Sequence, residues 1–250
     1  MAITIKSERE IELMAEAGKI LERVHNELEK ALRPGMSTKD IDTLGEEIIR
    51  SYGCIPSFLN YNGYPASICV SVNDEVVHGI PSKDRILQDG DIVSLDAGLI
   101  HEGYHSDAAR THAVGNISEE AKRLIEVTKQ SFFEGIKLAV PGNHLFDISE
   151  SIQKYVESNG YSVVREFQGH GIGREMHEDP GIPNYGKAGR GMKIEPGMTL
   201  AIEPMVIQGK PNILELDDGW TIITEDGSLA AHYENTILIT EKEPKILTLL

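Results

Sequence analysis

The two halves of the chain repeat one pattern of turns, acids and helix ends in the same order. An internal repeat of this length predicts two copies of one structural unit related by an approximate two-fold axis. We expect a single domain over residues 1–250, with halves at roughly 7–115 and 116–250. At an offset of 107 residues, the correspondences are Ala31-Leu32-Arg33-Pro34-Gly35 with Leu138-Ala139-Val140-Pro141-Gly142, Asp40 with Asp147, Ile49 with Val156, Gly53 with Gly160, Gly90 with Gly197, and Asp96 with Glu203.

Each half begins with helical patterns and continues with strands. Ser7 and Glu10 have the spacing of a capping box, and apolar residues then recur every three or four positions up to Leu32. The remaining helical patterns lie at 37–53, 118–140 and 145–160. Strand-like runs lie at 68–80, 92–100 and 104–114. The last part of the chain is also strand-like and contains a long Gly/Pro-rich connection at 179–197. This order predicts an α+β fold.

The charge balance argues against several classes of function. Against 24 Lys+Arg stand 40 Asp+Glu, a formal net charge of −16, whereas nucleic-acid and anionic-membrane binders need a basic surface. Only Cys54 and Cys69 occur, so the sequence offers neither a disulfide framework nor a CxxC motif. No signal-peptide stretch is present, and no apolar run approaches the roughly 18 residues of a membrane span. We therefore expect a cytoplasmic protein that recognises neither nucleic-acid sequence nor membrane.

Acidic residues occupy equivalent places in the strands of both halves. Asp96 and Asp107 flank Glu102-Gly103, and a two-residue hairpin turn there places Asp96 opposite Ala109, with Asp107 on the same face. A three-residue turn would instead put the two acids on opposite faces. In the second half, alternation puts Glu203 with Thr199 and Ala201, and Glu234 with His232 and Thr236. The repeat then brings all four carboxylates to one axis.

Four converging carboxylates need compensating charge, because they would otherwise repel each other and become protonated. Two divalent ions balance them, and a neutral imidazole completes the shell; His170, between glycines, is the candidate. One His among four acids suits Mn²⁺, Fe²⁺ or Co²⁺ better than a dedicated zinc site. We interpret His25, His112 and His144 as structural residues.

The predicted ligands Asp96, Asp107, His170, Glu203 and Glu234 resemble, in order and spacing, the metal ligands of methionine aminopeptidases of the M24 group. Nearly the whole chain is similar to the bacterial type I enzymes, including the motifs at 60–65, 73–81, 170–180 and 202–204. The resemblance implies the pita-bread fold, in which duplicated halves form a curved antiparallel sheet with helices on its outer face.

The resemblance also implies roles for the residues. Asp107 and Glu234 would bridge two metals, Asp96 would complete one site, and His170 and Glu203 the other. A water or hydroxide between two metals is a nucleophile at neutral pH, and it attacks the first peptide bond. Glu203 would pass a proton to the leaving amine. His78 and His177 would contact the substrate and stabilise the tetrahedral intermediate.

The implied substrate is the N-terminal methionine of nascent polypeptides, removed before a small second residue. The resemblance assigns the methionine pocket to Tyr61, Tyr64, Cys69, Met176 and Trp220, together with His78 and His177. Without the family we would assign the aromatic residues to core packing. Met176 and Phe58 depart from the commonest pattern of the family. Cys69 lies in an apolar run without a nearby base, which disfavours a nucleophilic role.

Alternative functions remain open at this level. X-Pro peptidases share the fold and the ligands, although they usually carry a large N-terminal domain and more histidines at the site. Some relatives only bind partners, but a non-catalytic domain predicts lost ligands, and all five are present. The family's cotranslational role implies a transient ribosome contact, and monomer is our default state. Ala2 also makes the chain a candidate substrate of its own activity.

Overall fold

The computed structural model describes residues 3–249, in which two helices followed by strands occur twice in succession. Met1 and Ala2, and with them the predicted self-processing site, lie outside the described residues. The helices are α1 (Glu8–Ala31), α2 (Thr38–Ser51), α3 (Glu119–Ile136) and α4 (Leu145–Ser158). The strands are β1 (Ile55–Pro56), β2 (Ile68–Val72), β3 (Glu75–Val77), β4 (Ile92–His101), β5 (Tyr104–Ala113), β6 (Ser162–Val163), β7 (Gln168–Gly171), β8 (Glu178–Pro183), β9 (Thr199–Ile202), β10 (Met205–Ile207), β11 (Ile213–Glu215), β12 (Ile222–Thr224), β13 (Ala230–His232), β14 (Asn235–Leu238) and β15 (Lys245–Ile246). A short 3-10 helix covers Tyr61–Gly63.

The helix starts follow the predicted capping residues. Ser7 and Glu10 form a capping box at α1, and Ser37 with Asp40 forms the same arrangement at α2. These reciprocal bonds satisfy backbone N–H groups that the first turn of a helix leaves free. At α4, Asp147 accepts a hydrogen bond of 2.7 Å from the backbone N–H of His144. The repeated aspartates therefore serve equivalent helix starts in the two halves.

The hairpin of β4 and β5 has the register that a two-residue turn predicts. Asp96 lies opposite Ala109, and His101 opposite Tyr104. Glu102 and Gly103 adopt φ values of 50° and 81°, as a tight hairpin turn with two left-handed residues requires. Because side chains alternate across a strand, Asp96 and Asp107 share a face of the hairpin. β1 and β2 also pair with β4 to complete this sheet.

The strands of the second half belong mainly to three further sheets. Their orders are β15-β14-β9-β7-β8, β13-β10-β6 and β11-β12-β3, and β3 in the last one comes from the first half. The predicted connection at 179–197 is partly wrong, because β8 covers Glu178–Pro183 and pairs with β7. The prolines of β8 obscured the strand pattern, and they are tolerated because β8 is the last strand of its sheet.

Each half has its own hydrophobic core. In the first half, α1 and α2 bury residues such as Leu21 and Ile41 against Leu95 and other residues of the β2-β4-β5 sheet. In the second, α3 and α4 bury Phe132 and Ile148 against the strands around β9 and β14. Within residues 3–249, no helix combines the length and apolar character needed to cross a membrane.

Candidate active site

Every site residue predicted from the sequence lines one cavity of about 270 Å³. The four carboxylates and His170 occupy one part of its wall, and aromatic and sulfur-containing side chains occupy another. The predicted residues in this wall are Tyr61, Tyr64, Cys69, His78, Asp96, Asp107, His170, Met176, His177, Glu203, Trp220 and Glu234. Phe58, which with Met176 departs from the family pattern, also contributes to the wall.

The acid cluster is defined as Asp96, Asp107, Glu203 and Glu234, and three of its members lie close to the imidazole of His170. Asp107, His170 and Glu234 each offer a ligand atom within 4.8 Å of the others. His170 Nε2 lies 3.7 Å from Glu203 Oε1 and 4.0 Å from Asp107 Oδ2. The other ring nitrogen, Nδ1, donates a hydrogen bond of 2.9 Å to the Gly171 carbonyl. This bond places the Nε2 lone pair toward the acids, which is the usual orientation of a metal-binding histidine.

The acids of the two halves meet where β5 runs beside residues 232–236, and we call these two segments the seam. The Glu234 N–H donates to the Ala109 carbonyl at 3.0 Å. Two positions along, the Asp107 N–H donates to Thr236 Oγ1 at 3.1 Å, and this hydroxyl donates to the Asp107 carbonyl at 2.9 Å. Asp107 and Glu234 are therefore held against each other by backbone and threonine hydroxyl groups.

Burial and mutual repulsion make the acid cluster unfavourable without added positive charge. Burial raises the pKa of Asp96 well above its usual value, and the Asp107 charge raises it further. The pKa values of Glu203 and Glu234 are also raised, first by burial and then by the other acids. Asp96 Oδ1, Asp107 Oδ1 and Glu234 Oε1 are buried and accept no hydrogen bond from any residue within 3–249. Buried, unpaired carboxylate oxygens beside an imidazole lone pair fit divalent metal ions.

The histidines of the site are held in the neutral form. Burial lowers the pKa of His170 to about 3, and the nearby His177 contributes to this shift. Burial, with a smaller effect of His177, lowers the pKa of His78 to about 4. The His177 ring lies 4.3 Å from the His170 ring, and its Nδ1 is hydrogen-bonded to the Tyr61 hydroxyl at 2.8 Å. Neutral imidazoles can bind a metal or donate one hydrogen bond, as the predicted roles require.

One part of the cavity wall is apolar. Phe58, Tyr64, Cys69 and Met176 are buried together, and Trp220 packs against them. Cys69 is paired with Asp96 in the register of β2 and β4, and burial raises the pKa of its thiol well above the normal value. Cys69 therefore stays a thiol and lines the pocket, as expected for a residue without a nucleophilic role.

The cavity is also lined by residues that the sequence analysis does not predict as site residues. His232 is buried, lines the cavity and has its Nε2 at 3.7 Å from Glu203 Oε2. His232-Tyr233-Glu234 resembles His105-Ser106-Asp107 in the first half, and this resemblance to a segment that carries a predicted ligand is a usable signal. Phe167 and Gln168 also line the cavity, and no spacing pattern indicated them. His25, His112 and His144 are not among its lining residues.

Comparisons with known proteins agree with this geometry. The model of metallopeptidase family M24 matches residues 12–241. A methionine aminopeptidase of Clostridium acetobutylicum is 60% identical over 247 residues, covering 99% of each chain. The crystal structure of a methionine aminopeptidase from Thermotoga maritima superimposes with a TM-score of 0.98 at 47% identity, covering 100% of both chains. An Xaa-Pro dipeptidase from Bacillus anthracis gives a TM-score of 0.80 at 26% identity and covers 98% of this chain but 62% of its own. The chain belongs to metallopeptidase family M24, and its fold is the predicted pita-bread fold of that family.

Proposed function

We propose that this protein is a methionine aminopeptidase that removes the N-terminal methionine from peptides and nascent proteins. The observation that carries the proposal is the cavity in which four carboxylates, two of them buried (Asp107, Glu234) and two half-buried (Asp96, Glu203), lie with the His170 imidazole beside an apolar pocket. The high identity to proteins named methionine aminopeptidase, over the full chain, favours this function over X-Pro hydrolysis.

Asp96, Asp107, His170, Glu203 and Glu234 would hold two divalent metal ions. Two ions of charge +2 balance four carboxylates, and the oxygen-rich donors favour Mn²⁺, Fe²⁺ or Co²⁺ over zinc. When bound, such ions lower the pKa of a coordinated water and polarise the scissile carbonyl.

The chain's own residues bind the substrate and move protons. Glu203 is the member of the acid cluster that lies beside His232 Nε2. We assign to it the transfer of a proton to the leaving amine. Neutral His78 and His177 would donate hydrogen bonds to the substrate and to the oxygen that gains negative charge. The Tyr61 hydroxyl fixes the His177 ring through its hydrogen bond to Nδ1.

Tyr61, Tyr64, Cys69, Met176 and Trp220 would form the pocket for the unbranched thioether side chain, because sulfur and aromatic edges attract the methionine sulfur. We propose that the chain acts as one catalytic domain, since both halves supply acids to the site. Action on nascent proteins would place it in the cytoplasm, as a monomer in transient contact with the ribosome.

The test is hydrolysis of Met-Ala-Ser, Leu-Ala-Ser and Ala-Pro-Ser by the purified protein, first metal-free and then with Mn²⁺, Fe²⁺ or Co²⁺. We expect metal-dependent release of methionine from the first peptide alone, and its loss in Asp96→Asn. Cleavage of Ala-Pro-Ser instead would move the assignment to the X-Pro peptidases. A folded protein that cleaves none of the peptides with any metal would indicate a binding function.

A further inference from the structure

The turn that follows β11 presents a tryptophan to the cavity. This turn, residues 216–221, joins β11 to β12. The Leu216 N–H donates to the Thr221 carbonyl at 2.9 Å, and the Gly219 N–H donates to the Leu216 carbonyl at 3.0 Å. Trp220 extends from this turn into the cavity wall. Turns on a surface are mobile unless side chains restrain them, so the placement of Trp220 depends on what holds this turn.

The Asp218 carboxylate makes three hydrogen bonds inside the turn. Oδ1 accepts from the backbone N–H groups of Trp220 and Thr221, each at 2.8 Å. Oδ2 accepts from the Thr221 hydroxyl at 2.6 Å. A carboxylate that accepts from the backbone two residues later restrains a turn strongly, because the bonds involve a charged acceptor. Asp218 therefore restrains the backbone conformation at Trp220.

The Trp220 ring contacts residues from the other half of the chain. It meets the Tyr64 ring edge to face, with centroids 5.1 Å apart and planes at 74°. It also meets the His78 ring at 6.3 Å and 83°. Edge-to-face contacts depend strongly on the position of both rings. A change in the turn would therefore alter the width of the apolar pocket between Trp220 and Tyr64.

The same carboxylate is connected to the segment that carries His78. The Thr221 hydroxyl, which donates to Asp218, also accepts from the Ile80 N–H at 3.4 Å. The neighbouring Gly79 carbonyl accepts from the Tyr64 hydroxyl at 2.8 Å. Asp218 thus restrains both sides of the pocket wall through short chains of hydrogen bonds.

We propose that Asp218 is a positioning residue that sets the place of Trp220 and through it the preference of the pocket for an unbranched first side chain. Asp218 does not line the cavity among the described residues, so it acts through Trp220 and not on the substrate. The selectivity part of this inference rests on the proposed aminopeptidase function, whereas the placement of Trp220 does not.

The experiment compares Asp218→Ala with Asp218→Asn and with the control Asp217→Ala, which removes the same charge from the exposed neighbour. The Asn side chain keeps an oxygen that can accept from both backbone N–H groups. Trp220 is the sole tryptophan of the sequence, so its emission wavelength and acrylamide quenching report the turn directly. KM and kcat for Met-Ala-Ser and Leu-Ala-Ser are measured on the same metal-loaded samples, and circular dichroism melting shows that each variant is folded.

In Asp218→Ala we expect red-shifted emission, stronger quenching, a KM for Met-Ala-Ser raised about tenfold and a kcat within about twofold of the original. Preference for the Met peptide over the Leu peptide should fall with the rise in KM. Asp218→Asn should keep the original emission and most of the preference, and Asp217→Ala should change neither. Unaltered emission and KM in Asp218→Ala, or equal changes in Asp217→Ala, would overturn the proposal.

Thr221→Val provides a second measurement, because it removes one of the three bonds to Asp218 and keeps the carboxylate. We expect smaller changes in emission and KM in the same direction, even if Asp218→Ala does not fold. No change in Thr221→Val, with Asp218→Ala unfolded, would count against the proposal. If the original protein released no methionine, the proposed function would fail, and the fluorescence of the Ala and Asn variants would still decide how Trp220 is held.

Discussion

The close approach of β7 to β9 predicts that a single methyl group will weaken metal binding. A Cβ on Gly169 would lie 2.3 Å from the Ala201 carbonyl oxygen and 3.4 Å from the Ile182 carbonyl oxygen. Both obstacles are backbone atoms of neighbouring strands, which cannot rotate away. To reach an ordinary contact, β7 and β9 would have to separate by about 1 Å, at a cost of about 1–3 kcal/mol. His170 lies on β7 opposite Ala201, and Glu203 directly follows β9. Gly169→Ala should therefore move these two predicted ligands apart.

We expect Gly169→Ala to lower the affinity for Mn²⁺ or Co²⁺ by about 10–100-fold, the range found when groups that orient metal ligands are changed. Calorimetric titration of the metal-free protein measures this, and urea unfolding measures stability. The matched control is Gly160→Ala, where a Cβ meets no atom within 4 Å but φ is +86°. The control should lose about 1–2 kcal/mol through its left-handed backbone and keep its metal affinity. If Gly169→Ala kept the metal affinity of the original protein, the inference that separating β7 from β9 moves the ligands apart would be refuted.

Three other perturbations test the charges of the site and its surroundings. Glu234→Gln should raise the melting temperature of the metal-free protein by removing repulsion, and should lose the stabilisation by Mn²⁺ of about 2.7 kcal/mol at 100 times Kd; an unchanged response to Mn²⁺ would contradict this. Burial holds the pKa of His25 well below 6.5, so the unfolded chain binds a proton that the folded chain does not. The stability that buried, neutral His25 contributes is complete above about pH 6.5. Below that pH, this contribution falls by about 1.4 kcal/mol per pH unit. The stability difference between the original protein and His25→Gln in urea should therefore shrink between pH 7 and pH 5, and a constant difference would exclude this effect. Arg110 is buried and donates to the Glu234 carbonyl, to Asn235 Oδ1 at 2.7 Å and to the Thr248 carbonyl at 3.1 Å. Arg110→Leu should cost about 3–5 kcal/mol in urea unfolding, and a loss below 1 kcal/mol, about the value of one exposed bond, would show that these contacts are not essential.

Local rules in the sequence predicted the parts of the site that depend on short stretches of chain. The Glu102-Gly103 turn set the register of β4 and β5, because a hairpin of known loop length has one pairing. Once Asp96 lay opposite Ala109, alternation alone placed Asp107 on the same face. The repeat then predicted Glu203 as the counterpart of Asp96, before any distance was known.

Such local rules do not predict contacts between segments that are distant in the sequence. The pairing of β12 with β3 joins the two halves, and this is what brings Trp220 beside His78. Neither strand shows an alternation long enough to reveal its partner. The pattern at 179–197 predicts a connection because the prolines and glycine of β8 weaken every strand signal. Alternation in the sequence puts His232 on the face of Glu234, but only the geometry places its Nε2 beside Glu203.

The seam gives a physical reason why buried acids can persist in this fold. His105-Ser106-Asp107 resembles His232-Tyr233-Glu234, which makes Asp107 equivalent to Glu234 and Ala109 equivalent to Thr236. The Asp107 N–H donates to the Thr236 hydroxyl and the Glu234 N–H donates to the Ala109 carbonyl, so the two bonds join equivalent positions although their acceptor groups differ. Each half alone would supply two carboxylates without the opposing acids that complete a two-metal site. Buried charges are tolerated only when they are compensated, so metal binding and the docking of the two halves should stabilise each other. The acids therefore favour one arrangement of the halves, the one in which the seam forms.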